Sequence, residues 1–221
     1  MSAASHPAEH ATATGVDNRK LLMWAFLGSD CLFFGSLVAT YMIYRGRSLE
    51  CPLPGNIYDI PYTSVSAFVL LMSSLTMVLA LAAIQRGDHK GLRTWLVATG
   101  LLGTVFLGGQ FYEFTSFVHE GLTFDKNLFG STFFVLTGFH GAHVTVGVLI
   151  LLSLFLVSLR GGLPQADSLT VELAGLYWHF VDIVWIVIFA LVYLVPAPVP
   201  VDPVTHQLLE CAKETVAAVA H

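Results

Sequence analysis

Six ionisable side chains stand inside long apolar runs of this chain: Asp30, Glu113, His140, His143, His179 and Asp182. Carboxylates and imidazoles carry protons, ligate metals and hold haem iron. Each is expensive near the centre of a bilayer, about 2.5–3.5 kcal/mol on insertion scales, so such groups face protein or water. His140 and His143 are spaced i, i+3 and share a helix face, as do His179 and Asp182. Four chemistries compete for them. Haem ligation needs histidines paired across two helices at matched depth, and the spacing supplies no clean pair. A carboxylate–histidine di-metal centre needs repeated Glu-x-x-His units, whereas the pairs here are His–His and His–Asp. A proton or ion path is often marked by intramembrane carboxylates, yet the broken helices and inverted repeats of a transporter are missing from the sequence. The fourth reading is hydrogen bonding between packed helices, and Gly138, Gly141 and Gly147 favour the close approach it requires. From the residues alone, this last reading accounts best for the pattern.

The elements that must position these groups follow from composition. Of 221 residues, 55% are apolar and 11% are charged, against about 25% charged in an ordinary soluble domain. The formal net charge is −5 and the mean hydropathy is +0.72. A water-soluble domain is excluded, and so is a nucleic-acid partner, which would need a basic footprint. Crossing the hydrocarbon takes about 20 apolar residues. Five stretches qualify: 21–44, 63–84, 95–117, 128–159 and 173–195. The fourth is long enough to tilt, or to begin as an interfacial turn near Phe129 and Gly130. The first is read as a retained helix because it holds Asp30 and is not followed by a small-residue cleavage site.

Flanking this domain, residues 1–20 are expected to be a disordered tail and 196–221 a Pro-rich linker with a short terminal segment. Cys31, Cys51 and Cys211 form no C-x-x-C pair, so no zinc or disulfide framework is readable. Lys and Arg placement orients the chain. With the N-terminus inside, Arg19, Lys20, Arg86, Lys90, Arg93 and Arg160 are cytoplasmic, while Arg45, Arg47, Lys126 and Lys213 are outside.

Four segments then carry a resemblance. Residues 177–185 read Tyr-Trp-His-Phe-Val-Asp-Ile-Val-Trp, and 137–144 read Thr-Gly-Phe-His-Gly-Ala-His-Val. Residues 108–113 read Gly-Gly-Gln-Phe-Tyr-Glu, and 27–34 read Leu-Gly-Ser-Asp-Cys-Leu-Phe-Phe. Together, in their order along the chain, they resemble the signature segments of subunit III of the haem–copper terminal oxidases, over about residues 20–195. The resemblance implies an all-α membrane protein whose five helices form two groups, 1–2 against 3–5, around a V-shaped cleft filled with phospholipid. It also implies that haem and copper reside on partner subunits and none on this chain. Subunit I is then the main contact, subunit II lies in the same complex, and oxygen is reduced to water with proton pumping in a bacterial plasma membrane. The chain would stabilise subunit I and support proton uptake.

The resemblance assigns residues as well. Asp30 occupies the place of a buried family glutamate and is one methylene shorter. A hydrogen bond from it to His140 or His143 is expected. Arg160 matches a basic position associated with lipid phosphate, with Arg19 and Lys20 serving the same headgroup layer and Asp30 counted with them in the lipid-binding set. Trp178, Phe180 and Trp185 are read as packing groups. The Gly-Gln-x-x-Glu stretch inclines the electron donor toward cytochrome c. A quinol oxidase subunit III and a nitric-oxide-reductase accessory protein are the alternatives within the superfamily, and a stand-alone proton-coupled transporter is the alternative outside it. Residues 196–221, which are not a general family feature, suggest docking to a quinol-oxidising complex.

Overall fold

A computed structural model describes residues 15–45, 59–119, 122 and 128–195. Among them are five helices long and apolar enough to cross a membrane. They are α1 (Asn18–Tyr44), α2 (Ile60–Gln85), α3 (His89–His119), α4 (Leu128–Leu159) and α5 (Ser168–Ile188). A 3₁₀ turn, Gln165–Asp167, leads into α5, and a π-helical turn, Phe189–Leu194, continues it. The side holding the start of α1 is called here the N-face, and the other side the C-face.

Local capping explains where helices outrun the apolar stretches. The Asp17 carboxylate accepts from Arg19 N–H at 2.8 Å and opens α1; Asp59 accepts from Tyr62 N–H at 3.1 Å and opens α2. Between α2 and α3 the chain reverses in three residues. Gly87, at φ +76°, donates to Ile84 O at 2.9 Å, and Asp88 N–H donates to Ala83 O at 2.9 Å, the glycine-dependent helix stop. Asp88 at once caps the next helix, accepting from Lys90 and Gly91 N–H at 3.1 and 2.9 Å. Helix α3 therefore starts at His89 rather than at the first apolar residues near 95, because the cap sets where a helix begins and apolarity only sets where lipid begins. The same stop closes α4, where Gly161 lies at φ +72° and Gly162 N–H donates to Val157 O at 3.1 Å. Helix α4 is continuous from Leu128, and both Phe129 and Gly130 are buried within it. At about 1.5 Å per residue, its 32 residues exceed the roughly 30 Å of hydrocarbon.

Helix α5 is the axis of the bundle. In its most apolar stretch 56% of residues are buried, against 11% in α1. Trp178 shows why: its indole N–H donates to Ser73 Oγ on α2 at 2.9 Å. Its ring also lies against Gly147 of α4 and Gly103 of α3, where added Cβ atoms would come within 2.7 and 2.5 Å of it. Because α5 buries groups on nearly all sides, it separates α1 from α2. The expected pairing of helices 1 and 2 against 3–5 is therefore corrected. Helix α2 packs on α3 and α5, whereas α1 packs on α4 and α5. The groove opens between α1 and the α4–α5 pair.

Candidate functional site

The groove holds about 720 Å³ and lies toward the N-face. Its walls are apolar, formed by Met23 and Phe26 of α1, Val146 and Ile150 of α4, and Leu173 and Tyr177 of α5. Arg19 lines it at the start of α1, and His143 lines it from α4. The Arg19 side chain is 62% exposed and 3.8 Å from Asp17, so its guanidinium keeps donors free for an anion. Lys20 beside it is committed to an ion pair with Glu172 at the start of α5. Arg160, at the end of α4, is exposed on the same face but does not line the groove.

The hydrogen bond expected of Asp30 is not formed, and Asp30 Oδ2 has no hydrogen-bond partner among the described residues; the histidine it approaches is His143. Asp30 Oδ2 lies 3.5 Å from His143 Nε2, in ion-pair range but longer than an ordinary hydrogen bond. On the other side of the ring, His143 Nδ1 is 2.8 Å from Phe139 O. A carbonyl only accepts, so Nδ1 carries a proton and Nε2 faces Asp30 either as a lone pair or as a second N–H. Tyr177 donates to the backbone carbonyl of His143 at 3.0 Å, and Phe34 packs edge-on to the imidazole at 5.0 Å. Helices α1, α4 and α5 thus meet at one residue.

The other buried groups form separate clusters rather than one network. Glu113, on α3, accepts from the Thr63 hydroxyl of α2 at 2.8 Å and is hydrogen-bonded to Tyr193 of the π-helical turn. That cluster ties three elements together near the C-face. His179 Nδ1 lies 2.6 Å from Ser74 Oγ of α2. Asp182, one turn further along α5, is 3% exposed. His140 points away from His143 despite the i, i+3 spacing. Its ring is fully buried and stacks on Trp185 with centroids 4.9 Å apart. Trp178, Phe180 and Trp185 are all buried, at 1, 8 and 2% exposure, as packing groups should be. Among the described residues, no group of three or more His, Cys, Asp or Glu stands close enough to hold a metal ion.

Sequence reasoning passed over four participants: Thr63, Ser73, Ser74 and Tyr193. The Ser73–Ser74 pair in an apolar run was a usable signal for a polar helix contact. Tyr193 carried none, since an aromatic near a span end equally marks the lipid interface. Of the three glycines expected to allow close packing, Gly141 and Gly147 do so against Gln110 and Trp178, and Gly138 has nothing within 4 Å. Gly103 takes its place.

Fold and site together define a polytopic α-helical membrane protein whose internal polar groups link its helices to one another. A family model described as "Cytochrome c oxidase subunit III" matches residues 5–196. Cytochrome c oxidase subunit 3 of Bacillus sp. (strain PS3) is 39% identical over 188 residues, covering 85% of this chain and 90% of that one. Quinol oxidase subunit 3 of Bacillus spizizenii is 38% identical over 188 residues, 85% and 92% of the two chains. Cytochrome c oxidase subunit 3 of Thermostichus vulcanus is 37% identical over 193 residues, 87% and 92%. The chain belongs to the cytochrome c oxidase subunit III family. It is a multi-pass membrane subunit of a haem–copper terminal oxidase, associated with the other subunits of that respiratory complex.

Proposed function

We propose that this chain is the non-redox third subunit of a bacterial cytochrome c oxidase, packed on catalytic subunit I with subunit II in the same complex. Haem and copper belong to those partners. Here the chain's part is mechanical and interfacial: it holds lipid against the complex, steadies subunit I and supports proton uptake while oxygen is reduced to water. The N-face is the cytoplasmic face in this reading, supported by the Arg and Lys excess on that side.

The observation that carries the reading is the groove between α1, α4 and α5. An apolar slot of about 720 Å³ with an exposed guanidinium at its mouth matches a phospholipid. The phosphate lies on Arg19, where bidentate contact is available, and an acyl chain lies along Met23, Phe26 and Ile150. Lys20 and Arg160 extend the same positive headgroup layer. The Asp30–His143 pair forms the deep polar end of the slot. In that position Asp30 acts by fixing His143, since a carboxylate cannot itself hold a phosphate.

A tagged chain purified in mild detergent should bring a large partner with a haem Soret band and retain phospholipid after extensive washing. Arg19→Ala should lower the retained phospholipid per complex, measured by extraction and mass spectrometry. Equal retention in the variant would remove Arg19 from the site. Near-equal identity to a quinol oxidase subunit 3 supports a second reading, in which the donor is a quinol. Oxygen consumption by the purified complex, with reduced cytochrome c in one assay and a quinol in the other, decides the donor.

A further inference from the structure

We propose that the bundle binds a small cluster of ordered water molecules deep among α3, α4 and α5, held by Gln110, His140, Asp182 and Trp185. These residues are 7, 0, 3 and 2% exposed. Between them they carry six buried polar atoms without a hydrogen-bond partner among the described residues: Gln110 Oε1, both His140 ring nitrogens, both Asp182 oxygens and Trp185 Nε1.

The atoms belong to one neighbourhood. Gln110 reaches from α3 to α4, where its Nε2 donates to Thr137 O at 3.1 Å. Its Oε1 sits against Gly141, only 3.0 Å from where a Cβ would stand. Thr137 and Gly141 flank His140 on α4. The His140 ring stacks on Trp185 with 24° between the planes, and Phe106 closes the edge of both rings at 6.0 and 4.8 Å. Asp182 lies three residues before Trp185 and so on the same face of α5.

Among the described residues, the protein's own groups leave this set unpaired. A neutral His140 offers one N–H and one lone pair, and Trp185 offers one N–H. With Asp182 ionised, four acceptor atoms stand against those two donors: one His140 nitrogen, Gln110 Oε1 and the two Asp182 oxygens. With Asp182 protonated its one O–H makes three donors against three acceptors, and in either state none of the six atoms reaches a protein partner among the described residues. Turning the Gln110 amide over would face its oxygen to the Thr137 carbonyl, so its orientation is fixed. The Ser74 hydroxyl approaches Asp182, but it has one hydrogen and also lies 2.6 Å from His179 Nδ1. It serves at most one Asp182 oxygen. Lipid supplies no hydrogen bonds, so buried polar groups in a membrane bundle must be satisfied from within. Water brings two O–H donors per molecule and typically makes about three bonds when buried, so six orphaned atoms call for about two waters. This inference does not depend on the lipid site, which lies on the other side of His143.

A cryo-EM map of the intact oxidase, at a resolution where internal waters are visible elsewhere in the same map, tests it. Density within about 2.7–3.2 Å of a His140 nitrogen and of Gln110 Oε1 or Asp182 is expected. Its absence there, with waters seen at other buried sites, overturns the proposal. So does finding the six atoms paired with one another or with another subunit. In His140→Phe, whose complex is collected under the same conditions, the density should vanish or lose its histidine-side position. Unchanged density in that variant would also overturn the assignment. The wild-type map stands as a test even where the variant fails to assemble.

Discussion

At the scale of single residues, geometry separates side chains that look equivalent on paper. His140 and His143 differ by one turn, yet one stacks on Trp185 in the core and the other meets Asp30 across the α1–α4 seam. Polar contacts between membrane helices average about 0.6 kcal/mol and reach about 1.7 in mutant cycles. A double-mutant cycle of Asp30→Ala and His143→Ala, read as detergent unfolding, should therefore give a coupling near 0.5–1.5 kcal/mol. Additive effects would show that the 3.5 Å approach carries no energy. Glycines divide in the same way. Gly147→Ala would push a methyl to 2.7 Å from the Trp178 ring, and overpacking of that kind costs about 1–3 kcal/mol. Gly138→Ala meets nothing within 4 Å, and the better helix propensity of Ala should make it neutral or stabilising by up to about 1 kcal/mol. Melting the two variants side by side checks the contrast.

Among the elements, α1 stands out because it buries so little. Beside the buried Leu27, Phe34 and Tyr41, it makes polar contacts at three levels. Lys20 pairs with Glu172 at the N-face, Asp30 meets His143 in the middle, and Arg45 Nη1 donates to Leu191 O and Val195 O at 3.3 and 3.1 Å at the C-face. The last contact also uses carbonyls at the end of the π-helical turn, where intrahelical partners run out. Such a helix opens before the rest. Removing the side chain of Arg45 should therefore speed deuterium uptake over the C-face half of α1 and the end of α5 while leaving the α2–α3 hairpin unchanged. Uniform protection across all helices would mean that α1 is held by something other than these tethers.

The whole molecule is a bundle organised around α5, and the chain from residue 196 on lies outside the described residues, as do 1–14 and the cysteines at 51 and 211. Residues 196–221 carry four of the chain's nine prolines, at positions 196, 198, 200 and 203. Deleting 196–221 should leave the oxidase assembled and active. It should abolish co-migration with a quinol-oxidising complex on a native gel if residues 196–221 dock there. Unchanged co-migration would end that proposal.

Much of this was legible in the residues. Five apolar runs announced five helices, because hydrocarbon admits a backbone only when its hydrogen bonds close locally. Family membership rested on Gly-Gln-x-x-Glu and the histidine segments, and the buried tryptophans were recognised as packing groups. Helix pairing was not legible. Uniformly apolar helices present similar faces to lipid and to protein, so their sequence periodicity does not say which neighbour each takes. Only the tertiary structure placed α5 between α1 and α2, sent Asp30 to His143 rather than His140, and stacked His140 on Trp185 in the core. Those choices depend on shape, on which glycine admits which indole, and a bilayer leaves them to packing because burial from water no longer drives one helix toward another.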